Sequence, residues 1–303
     1  MDEVVFDVIM QSTGAFVGDI RNYQTEPPPE EDLELGLNCW VGHPPLGISP
    51  DVIFDACSPA GYNFHPFRQF GCRYAFCRKV EPGHTDYYRW DTDGWLRRIL
   101  FLSRLIRPTT IGTNLSARLY FRDAELQTIV PGPTQGFGTH AWVVATSRWR
   151  DWLSVQEFER LRDSIPIYNL NPPDRVRQAR KHIDNAFHSF YLDQRCASIV
   201  TAFESLLKVS SFKATRQFAS RVPKLAERAG LEITEPEAIA LYADRSAFVH
   251  GTQVSFMDLS DELIAHYNRF EEVLRCCLLR ASTEPAFAAL FSSDETVVDA
   301  FGM

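Results

Sequence analysis

Three prolines within nine residues divide this sequence into two halves of different character. They lie in I-P-I-Y-N-L-N-P-P, residues 165–173. Proline lacks the backbone amide that helices and sheet ladders require, so no regular element can run through this segment. It therefore predicts a domain over residues 1–165, a linker over 166–173 and a second domain over 174–303.

The first half has the pattern of an α+β domain. Short segments rich in β-branched and aromatic residues predict strands, because such residues suit a pleated sheet. These segments are V-V-F-D-V-I-M, V-I-F-D-A-C, C-R-Y-A-F-C-R-K-V, L-S-A-R-L-Y-F-R and A-W-V-V-A-T. The segment between Asp93 and Pro108 has helical spacing, and Ser154 with Glu157 has the spacing of a capping box before another helix. The role of this domain stays open among sensing a trigger, binding a partner and selecting RNA.

The second half is predicted to be a bundle of helices only. The expected helices run from Asp174 to about Phe190, then over residues 193–208, 214–229, 235–250 and 259–281, with a short one in E-P-A-F-A-A-L-F. An acidic C-terminal tail follows, which we expect to lie away from any RNA. The predicted fold class is thus an α+β N-terminal domain followed by an all-α helical bundle.

One cation in the fourth of these helices falls where an apolar side chain is expected. The stretch R-S-A-F-V-H-G, residues 245–251, ends a helix that Thr234 and Glu237 open as a capping box. At about 100° per residue, Arg245 lies at the centre of the apolar stripe of that helix. An unpaired buried arginine would cost several kcal/mol, so Arg245 needs an anion.

An earlier helix offers one such anion. Glu204, in A-F-E-S-L-L, is also surrounded on its helix by apolar residues. Opposite charges on two apolar stripes predict an ion pair between Glu204 and Arg245. Such a pair either joins two helices structurally or orients Arg245 in a site, and the pattern alone leaves both open.

The order of three segments resembles a known family. A-F-E-S-L-L, then T-R-Q-F-A-S-R-V-P-K-L-A-E-R, then L-Y-A-D-R-S-A-F-V-H-G is similar to the HEPN domains, and most closely to the Apea-like subgroup, over about residues 175–280. The resemblance implies a helical bundle that forms a homodimer and cuts RNA without a metal or other cofactor. One departure is Thr252, since some HEPN toxins carry a tyrosine there that a partner enzyme modifies.

The chemistry of the residues agrees with RNA cleavage. RNA supplies its own nucleophile, the 2′-hydroxyl, so a protein need only move protons and stabilise charge on the phosphate. The expected catalytic residues are His250 as acid or base, Arg245 as phosphate clamp and Glu204 as the group that orients the arginine. His250 lies about 140° further round the helix than Arg245, so we expect a neighbouring helix or a second subunit to complete the site.

Three functions stay open for this site. The leading prediction is an endoribonuclease, acting as a defence or toxin effector because similar HEPN nucleases do, with a 2′,3′-cyclic phosphate product. The alternatives are a catalytically silent HEPN module that binds RNA or scaffolds an assembly, and an Arg245 that only holds the fold through Glu204.

Charge is distributed unevenly along the chain. The net charge is −8, yet residues 174–228 contain eleven Lys or Arg against five Asp or Glu. Such a basic region can follow a phosphate backbone. The predicted RNA-binding residues are Arg216, Arg221 and Lys224, and the resemblance adds Ser246.

Cysteine usage and hydropathy narrow the remaining possibilities. None of the seven cysteines forms a C-x-x-C pair, so we expect reduced thiols and no metal. The alternative is a zinc site drawn from Cys39, Cys57, Cys72, Cys77, His43 and His65. No apolar run approaches the roughly 20 residues of a membrane span, and the first residues are acidic, so a cytoplasmic protein without membrane contact is expected.

Overall fold

The computed structural model describes residues 3–12, 31–57, 72–80, 91, 94–107, 112–132, 153–189, 192–249 and 261–302. The chain is mixed α+β. It divides into two compact units, Met1–Pro166 and Ile167–Met303, and the division lies at the first residues of the predicted linker.

The first unit is built on an antiparallel sheet of six strands in the order β2-β3-β4-β1-β5-β6. The strands are β1 (Glu3–Ser12), β2 (Leu33–Gly36), β3 (Cys39–Gly42), β4 (Cys72–Lys79), β5 (Gly112–Arg122) and β6 (Glu125–Pro131). The helices are α1 (Pro50–Cys57), α2 (Trp95–Ile106) and α3 (Val155–Ser164), with a 3-10 turn at Pro45–Gly47.

Both faces of the central strand β1 are buried. Phe6, Val8 and Met10 join Ile53 and Phe54 of α1 in one apolar cluster. The residues between them, Val5, Asp7 and Ile9, are buried as well. The alternation of a half-buried strand is therefore absent from V-V-F-D-V-I-M, as expected for a strand covered on both sides.

A buried ion pair links β1 to β5. Asp7 lies opposite Arg118 in the sheet register, and its two carboxylate oxygens accept from Nε at 2.6 Å and from Nη2 at 2.7 Å. Asp7 also accepts from the backbone amide of Asp91 at 2.9 Å. The carboxylate of Asp91 in turn accepts from the first amides of α2, those of Leu96 and Arg97. The sheet and the start of α2 are thus joined through two carboxylates.

One predicted strand is wrong. V-I-F-D-A-C forms most of α1, because Pro50 suits a first helical turn and Ile53, Phe54 and Cys57 bury one face at helical spacing. Strands β2, β3 and β6 were not predicted. The predicted strand A-W-V-V-A-T lies outside the described residues. The other predicted strands correspond to β1, β4 and β5, and the predicted helices to α2 and α3, the latter with the Ser154–Glu157 capping box in place.

The described residues of the second unit contain helices and no strand. The helices are α4 (Asp174–His188), α5 (Leu192–Leu207), α6 (Ala214–Arg228), α7 (Glu235–Val249), α8 (Asp261–Thr283), α9 (Pro285–Ala289) and α10 (Asp294–Phe301). The first six agree with the predicted helices to within two or three residues at the ends that are described.

Helix α5 is the centre of this unit and contacts α4, α6, α7, α8 and α10. The ring of Phe203 on α5 lies 5.9 Å from that of Phe218 on α6 and 6.3 Å from that of Phe270 on α8, both edge to face. Aromatic pairs at such distances add to the stability given by burial alone. The residues expected to form an acidic tail are instead α10, with Val297 and Phe301 fully buried.

Candidate functional site

Helix α7 presents Arg245 on its buried side. The helix begins at a capping box, in which Thr234 donates its amide to Glu237 at 2.7 Å and accepts from the Glu237 amide at 3.4 Å. Ala238 and Leu241 are buried, and Arg245 follows one turn later on the same stripe. Its side chain is half-buried, and its Nε is buried with no hydrogen-bond acceptor among the described residues.

Glu204 of α5 binds a tyrosine rather than this arginine. The Tyr242 hydroxyl donates to Glu204 Oε1 at 2.9 Å. Burial raises the pKa of Tyr242, and its hydrogen bond to the Glu204 carboxylate raises that pKa further, so the hydroxyl remains a donor. Within the described part of the chain no salt bridge joins Glu204 to Arg245, so the predicted ion pair is absent there. The guanidinium of Arg245 is left without that carboxylate.

The ring of Tyr242 packs against helix α6. It packs at 5.0 Å from the ring of Phe218 on α6. Tyr242 lies three residues before Arg245, so the two side chains are neighbours on one face of α7. The contact with Phe218 thus joins the face of α7 that carries Tyr242 and Arg245 to α6.

The ion pair that joins helices in this unit has other members. Arg195 of α5 donates to Glu271 of α8 at 3.1 Å, and both side chains are almost fully buried. The guanidinium carbon of Arg195 also lies 5.6 Å from the centre of the Tyr267 ring. Cross-helix pairing of buried charges, which the sequence assigned to Glu204 and Arg245, is therefore provided by Arg195 and Glu271.

Further titratable side chains lie near Glu204 and Arg245. Burial and the charge of Lys181 lower the pKa of His182 on α4, while the Glu204 carboxylate acts to raise it. Burial raises the pKa of Asp244, against the charge of His266. These residues bring two histidines and a second carboxylate into the electrostatic surroundings of the site.

Tyr242 and His182 are members of these surroundings for which no functional role was predicted from sequence. Tyr242 lies on the same helical stripe as Arg245, which is a signal that sequence spacing alone provides. The proximity of His182 to Glu204 depends on how α4 packs against α5, which no local pattern encodes.

The remaining predicted catalytic residue is not located by the structure. His250 lies outside the described residues, as do Gly251 and Thr252. Ser246, one of the predicted RNA contacts, is half-buried on α7. The assignment of His250 as acid or base remains a prediction.

The three predicted basic contacts differ in accessibility. Arg216 is exposed on α6. Arg221 is only 7% exposed, and its guanidinium donates to the carbonyl oxygens of Leu207 and Lys208 at 2.7 and 2.9 Å. Lys224 donates to the carbonyl oxygen of Gly302. Arg221 thus binds carbonyl oxygens at the C-terminal end of α5, and Lys224 binds the segment after α10. Arg216 forms no such bond among the described residues and is the member of this set that can contact a phosphate.

Most of the basic region of residues 174–228 is used inside the protein. Eight of its eleven Lys and Arg side chains bind carboxylates or carbonyl oxygens: Arg175, Arg177, Arg180, Arg195, Lys208, Arg221, Lys224 and Arg228. Asp294, at the start of α10, pairs with both Arg175 and Lys208. The acidic segment, which was expected to lie away from any RNA, thus neutralises part of the basic region.

The described cysteine side chains of the first unit are buried thiols. Cys39, Cys57 and Cys77 are free and buried, and burial raises the pKa of Cys57 to about 11. His43 binds Asp32 at 3.2 Å. His65 and the side chain of Cys72 are not among the described residues. Across the described ranges, no three His, Cys, Asp or Glu side chains come together in a way that would hold a metal ion.

Comparison of the chain with protein-family models, curated proteins and solved structures found no match. In the parts of the chain that the structure describes, no helix has the length and apolar character needed to cross a membrane.

Proposed function

We propose that the second unit is a HEPN-type endoribonuclease that cleaves RNA through the 2′-hydroxyl of its substrate. One observation carries the proposal. Arg245 lies on the buried stripe of α7 with its Nε unpaired among the described residues, while the nearby carboxylate of Glu204 is bound by Tyr242. A fold that leaves a half-buried guanidinium without a carboxylate favours an anion from outside, and the planar fork of arginine matches a phosphate.

The reaction needs no group beyond those of the protein and the RNA. A base takes the proton of the 2′-hydroxyl, the 2′-oxygen bonds to phosphorus, and the bond from phosphorus to the 5′-oxygen breaks. An acid returns a proton to that leaving oxygen, which gives a 2′,3′-cyclic phosphate and a 5′-hydroxyl. Arg245 stabilises the charge on the phosphate oxygens, and His250 gives or takes a proton.

Glu204 acts in this scheme as a positioning residue. Tyr242, which lies one turn before Arg245 on α7, donates to the Glu204 carboxylate at 2.9 Å, and this carboxylate acts to raise the pKa of His182. A negative charge kept close to Arg245 without a salt bridge restricts where the guanidinium lies, while its donors stay open to the substrate.

The proposal is tested by RNA cleavage in the presence of EDTA. Wild type, Arg245→Ala and His250→Ala are incubated with single-stranded and structured RNA. We expect wild type to cut and both variants to lose at least a hundredfold in rate, since each removes a group that acts in the transition state. Arg177→Ala and His188→Ala are matched controls, because both residues bind within α4.

Intact RNA with wild type, or cutting by Arg245→Ala and His250→Ala at the wild-type rate, would reject this site as a nuclease. Binding of RNA without cutting would favour the catalytically silent HEPN module instead.

A further inference from the structure

An exposed aromatic side chain stands at the start of α6, outside the Glu204–Tyr242–Arg245 site. Phe212 is 72% exposed, more than any other large hydrophobic side chain in the described part of the chain. Single exposed hydrophobic residues are common on protein surfaces. The surroundings of Phe212 distinguish it from those.

The loop that carries Phe212 is held by side-chain hydrogen bonds. Gln217 of α6 accepts from the Ser210 amide at 2.9 Å and donates to the Phe212 carbonyl oxygen at 3.3 Å. The Ser210 hydroxyl donates to the same carbonyl oxygen at 3.0 Å. These hydrogen bonds hold the backbone of the loop in place. The phenyl ring is therefore exposed on an ordered loop before any ligand binds.

The charge around the ring is positive. Residues 205–226 contain five Lys or Arg and no Asp or Glu. Three of these cations bind protein groups elsewhere: Lys208, Arg221 and Lys224. The other two, Lys213 and Arg216, follow Phe212 within four residues, are exposed, and form no salt bridge or side-chain hydrogen bond among the described residues. Lys213 Nζ lies 5.0 Å from the centre of the Phe212 ring.

We propose that Phe212, Lys213 and Arg216, together the Phe212 platform, bind single-stranded RNA by stacking an unpaired base on the phenyl ring. The two cations take the adjoining phosphates. An aromatic face with neighbouring cations is what a single strand requires, since every base has a face that stacks and every linkage carries a negative charge. A partner protein or a second copy of this chain offers no comparable reason for two exposed cations without acidic partners so close in sequence to one exposed ring.

The platform is connected to the site by α6. Phe218, whose ring packs on Tyr242 at 5.0 Å, follows Arg216 by two residues on this helix. From Ala214 to Phe218 the helix rises only about 6 Å. The loop that carries Phe212 is thus about one helical turn along α6 from Phe218, which packs on the tyrosine that binds Glu204. The inference rests on the proposed function, because it names a contact for the same substrate.

The test is a binding measurement that requires no cleavage. The full chain is titrated with a fluorescent 2′-O-methyl oligoadenylate, which has no free 2′-hydroxyl, and with an abasic strand of equal length. We expect Phe212→Ala to weaken binding of the oligoadenylate roughly 5- to 100-fold and to leave binding of the abasic strand unchanged. Phe212→Trp should restore binding, whereas Phe212→Leu should not, because it keeps apolar surface and loses the ring.

The cations give a second signature. Lys213→Ala and Arg216→Ala should weaken binding of both strands, and their effect should shrink as salt is raised. The matched control for Phe212→Ala is Leu170→Ala, because Leu170 is another exposed apolar side chain of the same unit, with 50% of its surface exposed.

Equal affinity of wild type and Phe212→Ala for the oligoadenylate would overturn the inference, whatever the cleavage assay shows. A Phe212→Ala variant that changes oligomeric state instead of RNA affinity would also overturn it and assign Phe212 to a protein interface. Loss of oligoadenylate binding by Phe212→Ala in a chain that never cuts RNA would support the platform while rejecting the nuclease.

Discussion

Two arginines on neighbouring helices, Arg195 and Arg245, are used in opposite ways. Arg195 is fully buried and bound to Glu271, whereas Arg245 is half-buried and has no carboxylate partner among the described residues. Removing one member of a buried pair strands the other charge, at a cost of about 3–5 kcal/mol. Removing a guanidinium that has no carboxylate partner leaves no buried charge without its counterion.

We therefore predict different effects on thermal stability. Arg195→Met should lower the melting temperature of the second unit by about 10 °C, while Arg245→Met should leave it within a few degrees of wild type. Thermal unfolding followed by circular dichroism measures both. A large loss in Arg245→Met would show that this arginine holds the fold, and would remove the argument for an external anion.

Asp244 provides a prediction on pH. Burial raises its pKa, so the ionised form that exists at neutral pH costs stability in the folded state. The contribution of Asp244 to the stability of the folded state is complete only below the usual aspartate pKa of about 3.9. It is lost as the pH rises through the raised pKa that Asp244 has in the folded state. Asp244→Asn should raise the melting temperature by a few degrees at pH 7, and this gain should shrink as pH falls towards 4.

The exposed Glu232→Gln is the control for the loss of one negative charge. A gain in Asp244→Asn that is equal at pH 4 and pH 7, or a lower melting temperature at pH 7, would contradict the burial argument.

The position of Arg245 was predictable from sequence, but its partners were not. Helical spacing alone places Arg245 on the buried stripe of α7 together with Tyr242. Whether Glu204 meets Tyr242 or Arg245 depends on the offset between α5 and α7, which is fixed by packing around Phe203 and Phe218. Arg195 was overlooked because its partner, Glu271, lies 76 positions away in sequence.

At the level of elements, caps and breakers gave reliable helix ends. The capping boxes at Ser154 and at Thr234 both form as spacing predicts. The choice between strand and helix was less certain for short apolar segments, because the pattern of V-I-F-D-A-C fits both a buried strand and one face of a helix. Helix α10 was not predicted because three of its eight residues are acidic, although Val297 and Phe301 provide a buried side.

The ion pair between β1 and β5 offers a prediction at this scale. Asp7→Ala should destabilise the first unit by about 3–5 kcal/mol, because Arg118 remains buried without its carboxylate. The double variant Asp7→Leu with Arg118→Leu should recover much of the loss, since apolar residues can replace a buried pair. Urea unfolding measures both free energies. A double variant as unstable as Asp7→Ala would mean that the bond from Asp7 to the Asp91 amide matters more than the pair.

For the whole molecule, the proposal requires two copies of the second unit. Helical spacing predicts that Arg245 and His250 lie about 140° apart around one helix, which would not direct both side chains of one copy to one point. Mixing Arg245→Ala with His250→Ala chains should restore part of the cleavage that neither shows alone, because a mixed dimer contains one Arg245 and one His250. Absence of recovery, in dimers shown to exchange subunits, would place both residues of a site on one chain.

The central claim is that this protein cuts RNA with the 2′-hydroxyl of the substrate and with Arg245 on the phosphate. The most direct measurement compares an RNA oligonucleotide with its 2′-deoxy counterpart in EDTA, with end-group analysis of the products. The account predicts that wild type cuts only the RNA, leaves a 2′,3′-cyclic phosphate and a 5′-hydroxyl, and loses this activity in Arg245→Ala. Cleavage of the 2′-deoxy strand, or products ending in a 3′-hydroxyl and a 5′-phosphate, would contradict it.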